Sequence, residues 1–242
     1  MVHAPHDWKS SEFAASWVAE RSTKDHLRAT HFGLMAKLMP FRRDETLTLL
    51  DIGAGYGPLT KVLLDTFPNA TVIAQDFSEA MLEHAAHRLT SYENRVRFVQ
   101  SDLLIDAWAT DIGAIDAAVS SMCLHELGAP QRARSIYQEV FTLLRPGGAF
   151  MDVDIVNGAD PATHWLYTKG LFDGVETTPD DPAGTRALIA GNYQPRAHYS
   201  FPATVDEKRV WLNQSGFVVA DCWWKEMGRA LVGGFKSLQP NS

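Results

Sequence analysis

The stretch Leu49-Leu50-Asp51-Ile52-Gly53-Ala54-Gly55-Tyr56-Gly57-Pro58 constrains this chain more than any other. Thr46 to Ile52 reads as a buried strand, because Leu47, Leu49, Leu50 and Ile52 make the near-continuous apolar run of a parallel strand covered on both faces. Glycines at 53, 55 and 57 then permit positive φ and let a ligand approach bare backbone. Pro58 suits a first helical position, where the amide hydrogen it lacks would be unpaired anyway. The free N–H groups of that first turn favour a ligand carrying negative charge. A dinucleotide fingerprint, G-x-G-x-x-G/A, would need Gly or Ala at 58; proline stands there, and the third glycine comes one residue early.

From residue 46 onward strands and helices alternate, the rhythm of a parallel sheet with helices on both faces. Further strands are expected at 71–74, 96–99, 115–120 and 149–156, with Arg145-Pro146-Gly147-Gly148 breaking the helix before the last of these. Between 157 and 203 the rhythm lapses into a segment rich in Pro, Gly and aromatic residues; this length inside one domain reads as a functional lid or extra helices. Thr204-x-x-Glu207 is a capping box opening a helix. Strands at 217–223 and 230–235 follow with no helix between them, so they should form an antiparallel hairpin. Residues 1–45 look helical: Ser10 or Ser11 can cap a helix carrying Phe13, Trp17 and Val18, and a second has Leu27, His31, Leu34, Met35 and Leu38 on one face. The expected architecture is α/β: a seven-stranded, mostly parallel, doubly wound, Rossmann-like sheet with the last strand antiparallel, plus N-terminal helices. The division is a helical cap at 1–45 and a main domain at 46–242 with an insertion at about 157–203.

Composition removes several classes. Net charge is −7 with no dense Lys/Arg block, which disfavours a nucleic-acid partner held through phosphates. Cys123 and Cys222 match no zinc or thioredoxin spacing, and no metal site is expected. No apolar run approaches the ~20 residues of a membrane span, and no secretion signal is visible at the start. The expectation is a cytoplasmic protein with no membrane partner, and a homodimer is left open.

The spacing Asp51-x-Gly53-x-Gly55-x-Gly57, acids Asp76 and Asp102 closing the second and third strands, the segment after strand four, and Arg145-Pro146-Gly147-Gly148 together resemble the class I S-adenosylmethionine-dependent methyltransferases. The resemblance implies S-adenosylmethionine as cofactor. In that family the glycine loop (here Gly53, Ala54, Gly55 and Tyr56) wraps the methionine end, and the acid at the position of Asp51 helps hold its amino group. Asp76, with Phe77 and Met81 beyond it, stands where the family binds the ribose, and a carboxylate there can accept both hydroxyls. Ser101, Asp102 and Leu103 stand at the adenine position, and Ser120 and Ser121 where the methionine portion meets the acceptor pocket. The implied acceptor is a small, partly apolar molecule methylated on oxygen or nitrogen.

Methyl transfer asks the protein mainly to align the acceptor and exclude water. An acceptor hydroxyl or ammonium must also lose a proton, which makes His125, in the loop after strand four, a candidate base. Glu126 beside it is expected to face away. Asp152 and Asp154 alternate on one face of strand five, which buried carboxylates tolerate only when paired or at the cleft; Asp154, nearer the carboxyl end, is the second catalytic candidate. Trp17, His125, Trp165, Tyr193 and Tyr199 are the candidate acceptor contacts, and His31 a further lid candidate. The alternatives are an RNA or protein methyltransferase and a non-catalytic S-adenosylmethionine-binding module.

Overall fold

The computed structural model describes residues 7–160, 163–164, 167 and 203–239. Seven strands make one sheet: β1 Thr48–Ile52, β2 Thr71–Asp76, β3 Val96–Gln100, β4 Ile115–Ser121, β5 Leu144–Ile155, β6 Val218–Glu226 and β7 Arg229–Phe235. The helices are α1 Ser11–Ser22, α2 Ala29–Leu38, α3 Pro58–Thr66, α4 Glu79–Arg88, α5 Pro130–Leu143 and α6 Val205–Ser215. Strand order is β3-β2-β1-β4-β5-β7-β6. All neighbours are parallel except around β7, which runs antiparallel to β5 and β6. The chain winds outward from β1 to β3, then crosses back to lay β4 on the other side of β1. The crevice at that reversal, outside the carboxyl ends of β1 and β4, is where such sheets bind ligands.

The core is two-sided, as the apolar runs require. Leu49, Leu50 and Ile52 of β1 are fully buried. On one face Leu50, Ile52 and Phe150 pack with Ile136, Tyr137, Trp211 and Leu212 from α5 and α6. On the other, Leu49, Val72 and Met151 pack with Met35, Leu59, Leu63 and Leu89. Local chemistry sets the helix starts. Pro58 and Pro130 open α3 and α5, and the Ser10 and Ser78 hydroxyls accept from Phe13 N and Met81 N to cap α1 and α4. Thr204 and Glu207 make the reciprocal capping box of α6.

Several boundaries differ from the sequence reading. β5 begins at Leu144, directly after α5, so Arg145-Pro146-Gly147-Gly148 lies inside the strand. Gly147 takes φ +81, its N–H donates to Lys236 O (3.0 Å), and a Cβ on Gly148 would stand 2.6 Å from Asp116 O. The glycines therefore do not end the helix, which stops at Leu143, but let the new strand kink into place. β1 starts at Thr48, and β6 runs on to Glu226 with Val219 at φ +51 marking its irregular register. Leu27 is exposed, because the chain turns through a short 3-10 segment, Asp25–Arg28, before α2 begins.

α1 lies on α4, where Ala14 is buried with Ala80 and Met81 under Trp8, Trp17 and Val18. α2 lies on α3. Just beyond β5, Asn157 N donates to Ala203 O (3.1 Å) and Asn157 bridges to Thr204, so the 157–203 segment leaves and re-enters the domain at one point. Trp165, Tyr193 and Tyr199 lie outside the described residues. Among the described residues no helix is long and apolar enough to cross a membrane.

Candidate active site

The loop after β1 is held open by its own backbone. Gly53, Gly55 and Gly57 all have positive φ, at +66, +54 and +81. At Gly53 a second reason applies: an added Cβ would stand 2.2 Å from Cys123 Sγ. The loop is fixed from β2, with Ala54 N donating to Gln75 O (2.8 Å), Gly53 N to Gln75 Oε1 (3.1 Å) and Gly55 N to Asp76 Oδ2 (2.9 Å). The other Asp76 oxygen accepts from Ser78 N (2.9 Å). Burial raises the Asp76 carboxyl, partly offset by the Ser78, Gly55 and Phe77 amides. Three amides leave the carboxylate one further acceptor site, so the acid braces the loop and can still accept from a ligand. Asp102, just past β3, turns one oxygen back to Leu104 N (2.9 Å), and Leu103 beside it is buried.

Unsatisfied polar atoms mark what this crevice is built to meet. Asp51 is fully buried; Thr60 Oγ1 donates to Oδ2 (2.6 Å), while Oδ1 has no partner. Burial first, and Asp76 nearby, push the Asp51 carboxyl up to about 7 against the Thr60 hydrogen bonds. Ser101, Ser120 and Ser121 also present buried hydroxyls without partners. All four stand at the carboxyl ends of β1, β3 and β4, although buried polar groups are normally paired. A ligand bringing an ammonium to Asp51 and polar groups to the serines satisfies them, and the amino-acid end of S-adenosylmethionine has that chemistry. Among the described residues no three His, Cys, Asp or Glu side chains are grouped to hold a metal ion.

Beside this crevice, β5 and the 3-10 turn Leu124–Leu127 bring His125 and Asp154 together. Asp154 accepts from His125 twice, at Nδ1 (2.6 Å) and at the backbone N–H (2.9 Å). Glu126 does not face away: its Oε1 stands 3.4 Å from His125 Nε2. Burial would pull the imidazole down, but Asp154 and Glu126 outweigh it and push His125 up to about 10. For Asp154 burial is likewise overcome, by His125 and Lys208, and the acid falls to about 2. The two acids thus favour the protonated imidazole and fix the ring between them.

Sequence reasoning missed two members of this group. Lys208 of α6 is buried, with Nζ 2.7 Å from Asp152 Oδ2 and 3.6 Å from Asp154 Oδ2, and Tyr137 OH donates to Asp152 Oδ2 (2.6 Å). The acids of β5 are paired, as their burial demands. One signal was available: Lys208, Trp211, Leu212 and Ser215 are buried at helical spacing, so the lysine occupies a position on the inward stripe of α6.

The cap side is aromatic and cationic. Trp17 meets the Tyr56 ring edge-on (5.8 Å) and Trp8 (5.2 Å), so it packs over the glycine loop through Tyr56. The Tyr56 hydroxyl donates to Asp25 (2.5 Å), and Arg28 and Arg88 lie over its ring, so its side chain serves the cap and its backbone the loop. Met81 is buried beneath α1, and Phe77 is half-buried beside Lys9. His31 is buried against Trp224 (5.3 Å between rings), and burial, then Arg229 and Arg28, hold it down to about 4.

A glycine-loop crevice at the β1/β4 reversal, acids closing successive strands and an antiparallel β7 define the class I, S-adenosylmethionine-dependent methyltransferase fold. Residues 49–148 match the family described as a methyltransferase domain. It is 38% identical over 144 residues to trans-aconitate 2-methyltransferase of Paracidovorax citrulli, covering 59% of this chain and 52% of that protein. It is 30% identical over 133 residues to malonyl-[acyl-carrier protein] O-methyltransferase of a Paenibacillus species, covering 49% and 48%. Among solved structures, human N-acetylserotonin methyltransferase in complex with its cofactor superposes with a TM-score of 0.61 at 14% identity, covering 95% of this chain and 57% of that one. The chain spans about half the length of these curated relatives.

Proposed function

We propose that this chain transfers the methyl group of S-adenosylmethionine to an oxygen atom of a small, partly apolar acceptor. The observation that carries the reading is the partnerless, fully buried Oδ1 of Asp51 beside a glycine loop whose backbone is pinned open. When bound, the cofactor supplies an electrophilic methyl on a sulfonium. In this reading Asp51 and Ser120 hold its amino-acid end, Asp76 accepts from the ribose, Asp102 and Leu103 border the adenine, and the Gly53–Gly55 backbone lies along it. Trp17 and the helices α1 and α2 keep water out, and the acceptor lies beside His125 and Asp154. The names of the O-methyltransferase relatives support oxygen over nitrogen, and the net charge of −7 supports a small molecule over RNA.

The experiment is calorimetry with S-adenosylmethionine, followed by a labelled-methyl screen of small acceptors. Binding should be saturable and lost in Asp51→Ala, with labelled product from at least one acceptor. Absence of binding to the native chain overturns the reading; binding without turnover would return it to a non-catalytic module.

A further inference from the structure

We propose that Gln75 is a positioning residue: it fixes the spacing between the glycine loop and the loop at the end of β3, and with it the length of ligand that can reach both. This rests on the S-adenosylmethionine reading above and goes one step past it, because it assigns that span to one buried side chain. The first observation is placement. β2 lies between β1 and β3, and Gln75 pairs in register with Ile52 on one side and Val99 on the other. From this middle strand its side chain reaches both ways. Oε1 accepts from Gly53 N (3.1 Å), just past the end of β1, and Nε2 donates to Ser101 O (2.6 Å), just past the end of β3. The backbone adds a third tie, with Ala54 N donating to Gln75 O (2.8 Å).

The second observation is that the two bonds demand a carboxamide. Gly53 offers an N–H, which only donates, and Ser101 offers a carbonyl, which only accepts. The side chain between them must therefore carry one acceptor and one donor. Glutamine carries both. A carboxylate would set an oxygen against the Ser101 carbonyl, and a hydrocarbon would leave both backbone groups unpaired. Gln75 follows the apolar run Val72-Ile73-Ala74 and is 1% exposed. A polar side chain buried there is costly unless its bonds are made, and both are.

The third observation is what the far loop does with its bond. Ser101 N donates to Asp76 O (3.1 Å), and Gln75 takes the Ser101 carbonyl, so the backbone of this residue is fixed at both groups. Its hydroxyl stays buried without a partner. Two residues on, Leu103 O accepts from Arg132 Nε of α5, and Arg132 is itself held by both Glu139 oxygens (2.6 and 3.1 Å). The stretch Ser101–Leu103 is thus pinned twice, once toward the glycine loop through Gln75 and once toward α5. The tie to α5 keeps the shape of the stretch; the tie through Gln75 sets its distance from Gly53.

The test compares two ligands on the full chain by calorimetry: S-adenosylhomocysteine, which reaches both loops in this reading, and 5′-methylthioadenosine, which lacks the amino-acid end. In Gln75→Leu the first should weaken about tenfold or more, as two unpaired buried groups require, and the second less than about threefold. Gln75→Glu supplies a second reading, because protonation turns its carboxylate into a group with one donor and one acceptor. Its affinity for S-adenosylhomocysteine relative to the native chain should be down about tenfold near pH ~9 and recover toward parity by about pH 5.5, burial having raised the new acid. Asp51 and Asp76 beside it, Asp102 past Ser101 and the Cys123 thiol against Gly53 are common to both chains, so the ratio removes their own titration. Equal weakening of both ligands in Gln75→Leu, unchanged binding of both, or a deficit in Gln75→Glu that does not shrink as pH falls overturns the inference. Each of those outcomes, with the native chain still binding S-adenosylhomocysteine, leaves the methyltransferase reading standing. Failure of the native chain to bind it removes both.

Discussion

Asp51 is the residue on which most of the chemistry converges. Its carboxyl, raised to about 7, must be ionised to receive an ammonium, so cofactor binding should release a proton below that pH. Affinity for S-adenosylmethionine should be level just above pH 7 and fall about tenfold per unit below it, since each unit costs about 1.4 kcal/mol. Calorimetry in buffers of different ionisation heat reads both the affinity and the proton count; a pH-independent constant would take Asp51 out of the site. For the unliganded protein the sign is opposite. A raised acid contributes stability that is full below its ordinary 3.8 and is lost as pH rises through about 7. Gly53 carries a second prediction. Gly53→Ala must place a Cβ 2.2 Å from Cys123 Sγ at φ +66, so cofactor binding should be abolished and the melting temperature lowered. Both residues were legible in the sequence: an acid inside an apolar strand run needs a reason, and so do three glycines spaced by single residues. The Cys123 contact was not, because nothing in a linear pattern says which loop will lie over Gly53.

At the scale of elements, the Asp152–Lys208–Asp154–His125 row joins α6, β5 and the turn after β4. Removing one partner of a buried ion pair leaves uncompensated charge, so Lys208→Met should cost about 3–5 kcal/mol in a urea titration. Adding Asp152→Asn should recover part of it, because one surplus carboxylate goes. An unchanged midpoint in Lys208→Met would mean the acids find another partner. The pH window follows from the shifts. The raised His125 contributes stability that is full below its ordinary 6.5 and is lost as pH rises through about 10. The depressed Asp154 contributes above its ordinary 3.8 and is lost as pH falls through about 2. This row could be only half read in advance. Two alternating acids on one strand face announce a need for partners, but Lys208 lies 54 positions after Asp154, beyond a segment with no clear period. Strand ends were less legible than strand centres for a related reason. Apolar runs report burial, whereas the entry of β5 is set by hydrogen bonds between Gly147–Gly148 and Lys236, which leave no hydrophobic trace.

For the whole molecule, the question is how the N-terminal cap communicates with the sheet. Asp25 is the tie: it accepts from Arg28 (2.6 Å), from Arg88 of α4 (2.7 Å) and from the Tyr56 hydroxyl in the glycine loop (2.5 Å). Burial opposes its charge, yet the hydrogen bonds from Tyr56 and Arg88 together hold the carboxyl below its ordinary range. Trp17 on Tyr56, and the bond from the Ser78 hydroxyl to Trp8 O, attach α1 to the same two elements. This part of the cap, up to Asp25, therefore grips the cofactor loop and both ends of α4, while α2 packs on the central strands through Met35. Asp25→Ala should leave two arginines side by side and loosen that grip while the sheet stays intact. Association of S-adenosylmethionine, which needs an open cap, should change little; dissociation, which waits for the cap to lift, should accelerate. The loss is bounded by the ~1.5–3 kcal/mol of a hydrogen bond to a charged group, about ten- to a hundredfold in the off-rate. Stopped-flow displacement, using the tryptophans at 8 and 17 as reporters, separates the two rates. A slower on-rate with an unchanged off-rate would instead mean that Asp25 preorganises the glycine loop, and that the cap follows the loop without holding it.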